Sequence, residues 1–224
     1  MIPKIIHFCW FGDKEFPPEV INCMDSWKKK LPDYQVKMWN EDNFDCTIFK
    51  YCEEAYSAKK YAFVSDVCRL YALYNEGGIY LDTDVEVLKS FDDLLNLPGF
   101  ICYENSARKD VMSVASAVIG AEKGNLWVKE QLDLYKHRRF FKFAGKMDMT
   151  PNPITMVNKM LEEGFVFNFN YPRTVYKNSM VVFPPEWFSP YFTSEWLNVT
   201  ENTYCIHHYF GSWIEPLNGG GAGL

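Results

Sequence analysis

Residues 76–85 read EGGIYLDTDV: a glycine pair, a short apolar run, then two aspartates one residue apart. Ile79, Tyr80 and Leu81 are the β-branched, aromatic and aliphatic residues of a short buried strand, which ends on Asp82 and Asp84. Neighbouring carboxylates repel unless positive charge lies close, and a divalent cation held by hard oxygen ligands is the simplest such charge. In an open α/β sheet, ligands bind outside the carboxyl ends of strands, where these aspartates stand.

The flanking residues extend the reading. Residues 59–78, KKYAFVSDVCRLYALYNEGG, form the strongest helical pattern of the chain, with Phe63, Val67, Leu70, Tyr71 and Tyr74 on one apolar stripe. Gly77 and Gly78 supply a left-handed stop. Within the helix, Asp66 and Arg69 stand at i and i+3, on a face apart from that stripe and beside Ser65. As an isolated helical ion pair they would be worth a few tenths of a kcal/mol, about 0.3.

Outward from this unit, strands are expected at 2–11, 34–39, 85–88 and 100–103, with extended segments at 180–188 and 203–210. Helices are expected at 16–32, 46–56, 125–141 and 152–164. Strand–helix alternation predicts an α/β fold with a mostly parallel central sheet flanked by helices. One domain over residues 1–217 accommodates the length, and residues 218–224 have the composition of a flexible glycine-rich tail.

Composition bounds the function classes. A net charge of −6 argues against a general nucleic-acid binder while leaving room for a local basic pocket. Seven cysteines with no CxxC pair suit a reducing compartment and buried thiols better than a disulfide framework. The opening MIPKIIHFCWFG is too soon polar for a secretory signal, and no run of about 18 apolar residues occurs, so a cytoplasmic location is expected. The sequon at Asn198 is read as chance. His7, inside the first strand, is read as a hydrogen-bonded core histidine.

The string AFVSDVCRLYALYNEGGIYLDTDV, with S-D-x-x-R followed by G-G-I-Y-L-D-x-D, resembles DxD-type glycosyltransferases. That family includes yeast initiating α-1,6-mannosyltransferase, bacterial capsular polysaccharide transferases and, more distantly, the glucosyltransferase domain of clostridial toxins. IPKIIHFCWFG resembles its opening strand and IHHYFGSW its closing segment. The resemblance implies a GT-A type nucleotide-sugar fold, a nucleotide-sugar donor (UDP-hexose first, GDP-mannose next), a glycan or lipid-linked glycan acceptor, and retention. It also implies a divalent metal, Mn²⁺ ahead of Mg²⁺.

Position by position, it gives Trp10 to base stacking, Asp66 and Arg69 to donor sugar hydroxyls with Ser65 beside them, and Tyr80 to the nucleotide pocket. Asp82 then contacts ribose, sugar and metal, Asp84 is a direct metal ligand, and His208 is the carboxy-terminal ligand, chosen over His207 by spacing to Trp213. Trp213 reaches the donor phosphate. Gly211 replaces a serine of the toxin pattern, and Ser212 adjoins the tryptophan instead. Residues 150–155 and Glu104-Asn105 fall where related enzymes place acceptor-side loops. Residues 135–146 interleave basic and aromatic side chains, as in a peripheral membrane contact, against the plainer reading of a solvated helix end. Two other classes use similar residues: a non-catalytic sugar-nucleotide or glycan-binding module, and a haloacid-dehalogenase phosphatase, which Glu86 fits poorly.

Overall fold

The computed structural model describes residues 1–104, 113–167, 174–193 and 196–211. In chain order these hold β1 (Ile5–Cys9), α1 (Pro18–Lys30), β2 (Gln35–Trp39), α2 (Lys50–Ser57), α3 (Tyr61–Glu76), β3 (Gly78–Leu81), β4 (Val85–Val87) and β5 (Gly99–Tyr103). There follow β6 (Val114–Ala121), α4 (Leu126–Asp133), α5 (Asn152–Glu162), β7 (Thr174–Tyr176), β8 (Met180–Phe183), β9 (Tyr191–Thr193), β10 (Trp196–Leu197) and β11 (Cys205–His207). The central sheet runs β2-β1-β3-β6-β5-β8-β7, and β4 pairs with β11 outside it. β1, β2, β3, β5 and β8 share one direction, while β6 and β7 run against their neighbours.

Apolar side chains cover both faces of the sheet. One core joins Tyr80, Ile119 and Val182 to Tyr51 of α2, Phe63 and Val67 of α3, Trp127 of α4 and Met156 of α5. The other joins Phe8, Ile79, Leu81, Phe100 and Val181 to Trp27 of α1, Val85 and Val87 of β4, and Phe188. Strand periodicity therefore sends Tyr80 to the α3 side and its neighbours Ile79 and Leu81 to the α1 side.

α3 ends as the glycine pair implies. The Gly77 amide bonds the Leu73 carbonyl at 2.9 Å with φ at +70°. At Gly78, φ is +112° and a Cβ would stand 2.6 Å from the Ile5 carbonyl oxygen and 2.9 Å from His7 Nε2, so β3 can lie this close to β1 only with glycine. His7 is fully buried: Trp39 Nε1–H donates to Nδ1 at 3.0 Å, which leaves Nε2–H to donate to the Gly77 carbonyl at 2.7 Å. The ring is a satisfied core group. Burial, the largest cause, lowers its pKa, so the unfolded chain binds the extra proton first. Stability is expected to fall as pH drops below 6.5, the unfolded value, and a urea midpoint that is flat across that range in wild type would contradict this.

Several features differ from the sequence expectation, β7, β9 and β10 among them. β6, a central strand, was not anticipated: VASAVIGA is buried along its whole length, so it has no alternation, and its small residues have weak strand preference. Gly120 makes room there for the Phe100 ring, which a Cβ would overlap at 2.1 Å. The helix expected at 125–141 stops at Asp133, with a single 3-10 turn to Lys136, and farther on Glu54 captures the backbone amides of Phe140 and Phe141 at 2.9 and 3.1 Å. The Asp66–Arg69 face of α3 is buried as deeply as the apolar stripe, so their contact is no surface ion pair. Six of the seven cysteines are buried and all are free thiols. Residues 218–224 lie outside the described residues.

Candidate active site

The site is built at the carboxyl ends of β1 and β3, which are parallel neighbours. Asp82 follows β3, and because side chains alternate it projects to the same side as Tyr80, toward α3. There Arg69, almost fully buried, uses its whole guanidinium. Nη2 lies 3.1 Å from Asp66 Oδ1 and 3.3 Å from Asp82 Oδ1, Nη1 donates to the carbonyl and hydroxyl of Ser116 at 2.8 and 2.9 Å, and Nε donates to the Ser65 carbonyl at 3.3 Å. Its plane covers the Tyr80 ring at 4.6 Å, and the Tyr80 hydroxyl donates to Asp82 at 2.8 Å. Asp66 also accepts the Asn152 amide, at 3.1 Å, from the first turn of α5.

One guanidinium thus serves two carboxylates. Burial pushes Asp66 up to about 6 against the pull of Arg69 and the Asn152 amide, so it remains ionised at neutral pH. A net negative charge is left facing the cleft.

Asp84 lies in the turn between β3 and β4. Its Oδ2 accepts the Phe210 amide at 3.0 Å, and its Oδ1 stands 3.3 Å from His207 Nε2. β11 runs antiparallel to β4, with His207 opposite Val85 and Ile206 opposite Glu86. The next residue turns away: His208 bonds Glu86 at 3.0 Å. Asp82, Asp84 and His207 offer ligand atoms that all lie within 4.8 Å of one another, and His207 Nδ1, buried, has no hydrogen-bond partner. Two carboxylates and an imidazole with an unused ring nitrogen fit a divalent cation. The histidine of the cluster is therefore His207 and not His208, because alternation along an extended segment puts only one of two neighbours on the Asp84 side.

Burial opposes charge on both partners of the Asp84–His207 pair, and their mutual attraction outweighs it: Asp84 is held below the usual carboxylate range and His207 above the usual imidazole value. Glu104, following β5, is half-buried beside them and held up by desolvation, with hydrogen bonds to Ser113 and the Tyr209 hydroxyl.

The remaining expected residues fall as follows. Trp10 leaves β1 at the same sheet edge, half-buried, its indole N–H bonded to the Lys14 carbonyl at 2.7 Å and its ring against Phe16. Ser65 reaches Arg69 through its carbonyl and not its hydroxyl. Ser212, Trp213 and Asn105 lie outside the described residues. Of residues 150–155, Asn152 touches the site directly, through Asp66. Ser116 and Tyr209 carried no sequence signal that singled them out, since each acts through an element paired from far along the chain.

A family model described as a glycosyltransferase sugar-binding region containing a DXD motif matches residues 17–100. The chain is 31% identical over 128 residues to inositol phosphoceramide mannosyltransferase 3 of Schizosaccharomyces pombe, a stretch covering 55% of this chain and 34% of that protein. It is 27% identical over 160 residues to the subversion of eukaryotic traffic protein A of Legionella pneumophila, covering 59% of this chain and 24% of that one. The chain thus spans about a third or less of the length of these relatives. Among solved structures, the PaToxG glycosyltransferase superposes with a TM-score of 0.50 at 20% identity over 73% of this chain and 70% of that one. Over residues 17–100 the chain is similar to the DXD-containing sugar-binding region of glycosyltransferases, and its fold is of the GT-A type.

Proposed function

We propose that this chain transfers a hexose from a nucleotide-diphosphate sugar to a hydroxyl of a glycan or lipid-linked glycan, with a divalent metal and with retention at the anomeric carbon, in surface polysaccharide synthesis. One observation carries the reading: the hydroxyl-binding pair Asp66 and Arg69 and the donor set Asp82, Asp84 and His207 converge at the end of one strand.

Each residue has a task its surroundings support. Asp66, ionised at neutral pH, accepts from sugar hydroxyls, and Arg69 holds it in place. Asp82 is pinned through Oδ1 by Tyr80 and Arg69, which directs Oδ2 outward. Asp84 and His207, with Asp82 alongside, would hold the cation, and their mixed oxygen and nitrogen ligation favours Mn²⁺ over Mg²⁺. When bound, the metal supplies Lewis-acid stabilisation of the charge gathering on the departing diphosphate. Trp10 offers its ring to the base, while Ser212 and Trp213 are assigned to the donor phosphate by resemblance alone. The acceptor oxygen bonds to the anomeric carbon on the face from which the phosphate oxygen leaves, and the acceptor proton passes to that oxygen. Glu104 is assigned to the acceptor side by resemblance alone.

The donor is read first as a UDP-hexose. The relatives named as mannosyltransferases keep GDP-mannose second. The test is nucleotide release from a panel of UDP- and GDP-sugars with Mn²⁺, with Mg²⁺ and with chelator. Release from one donor, lost on chelation, is the expected result. Saturable donor binding with no release under any acceptor would instead leave a binding module, and neither binding nor release would end the reading.

A further inference from the structure

Residues 141–147 are exposed without interruption, and Phe143 among them is 97% exposed. This is not a slack loop. The Phe140 carbonyl accepts the Asp148 amide at 2.6 Å, the Lys146 carbonyl accepts the Lys142 amide at 2.7 Å, and Phe141 bridges Met147. Ala144 and Gly145 turn the chain with φ of +59° and +74°. The base is anchored by Glu54 on the Phe140 and Phe141 amides and by Arg138 on Asp148 at 3.1 Å and the Thr150 carbonyl at 3.0 Å. A fixed hairpin thus holds an aromatic ring in water.

Its charge points to the occupant. Residues 134–147 carry five lysines and arginines and no acidic residue, in a chain of net charge −6. Three of the five are answered internally: Lys136 by Asp133, Arg138 by Asp148 and Arg139 by Glu54. Lys142, whose ammonium shares Asp148 at 3.3 Å, and Lys146 are left flanking Phe143. Exposed Phe141, Met147 and Met149 continue the apolar surface below the tip.

We infer that this hairpin inserts into the interface of an anionic phospholipid bilayer, with Phe143 at the acyl boundary and Lys142 and Lys146 among the headgroups. The inference narrows the contact expected over 135–146 to the tip, since Arg138 is packed inward on Asp148 and Arg139, though exposed, is committed to Glu54, so reversing them would test folding. It also deepens the proposed function. The returning strand runs from Asp148 directly into α5, whose Asn152 amide bonds Asp66, so docking would hold the donor site close to a lipid-linked acceptor.

The test is co-sedimentation of the full chain with phosphatidylcholine vesicles with and without phosphatidylglycerol. Wild type is expected to partition onto the anionic vesicles. Phe143→Ser should lower the partition coefficient by about tenfold or more, and Lys142→Gln with Lys146→Gln by about twenty-fivefold, at roughly a factor of five per lysine. All these positions are exposed, so unfolding midpoints should match wild type. Wild type that stays in solution, or variants that sediment like wild type, would overturn the inference. So would a wild-type dimer that Phe143→Ser converts to monomer in the absence of vesicle binding. Donor hydrolysis assayed on the same samples keeps the two readings apart: its absence with vesicle binding intact would defeat the proposed activity alone.

Discussion

His207→Ala is expected to lower metal-dependent nucleotide release on the order of a hundredfold to a thousandfold, whereas His208→Ala should change it less than about threefold. The two residues are neighbours, so an effect of local unfolding would strike both. The difference arises from direction. His207 stands 3.3 Å from Asp84 within the cluster, and His208 bonds Glu86 on the other side of the strand. Equal losses, or the larger loss at His208, would contradict the assignment. The same geometry fixes a pH dependence. Without metal, His207 holds a proton more tightly than a free imidazole, above 6.5, and a cation must displace it. Mn²⁺ affinity should therefore rise about tenfold per pH unit below the His207 pKa and level off above it, and His207→Ala should flatten that profile.

Arg69→Ala is expected to destabilise the fold by about 3–5 kcal/mol, among the larger effects of any single substitution here. Removing the guanidinium strands Asp66, buried, and deprives Asp82 and the Ser116 carbonyl of their partner. The sign of its pH dependence follows. A carboxylate whose folded pKa is raised above the unfolded value loses stability as pH rises from the unfolded value to the folded one, and loss of Arg69 raises Asp66 further than the present value of about 6. The deficit should thus be larger at neutrality than at about pH 4, where Asp66 is protonated in the folded state of wild type and variant alike. Urea unfolding at the two pH values measures it. A loss below about 1 kcal/mol at neutral pH would mean that water replaces the guanidinium, and the rigid network described here would be wrong.

The parts of the molecule that could be read from sequence are those whose signal is local. α3 carries its own stripe and its own glycine stop, and IYLDTD carries both the strand and its polar terminus, so Asp66, Arg69, Asp82 and Asp84 were legible together. What escaped depends on pairing across long separations. β6 has no alternation because the sheet buries both its faces, and so Ser116, the Arg69 partner that it presents, was invisible. The last residues of the 125–141 stretch are held outside any helix by Glu54, which binds the Phe140 and Phe141 amides from far along the chain. The choice between His207 and His208 turned on the register of β11 against β4, which spacing to Trp213 does not encode.

The most direct measurement is a titration of Mn²⁺ into the protein, in the presence of the donor nucleotide, for wild type and Asp84→Ala. The account predicts one saturable site in wild type, weakened by nucleotide removal and absent in Asp84→Ala, with the folded state of the variant verified by its unfolding midpoint. Wild type that binds no Mn²⁺ with any nucleotide, or Asp84→Ala that binds it as tightly as wild type, would contradict the claim that Asp82, Asp84 and His207 form a cation site for a sugar-nucleotide donor.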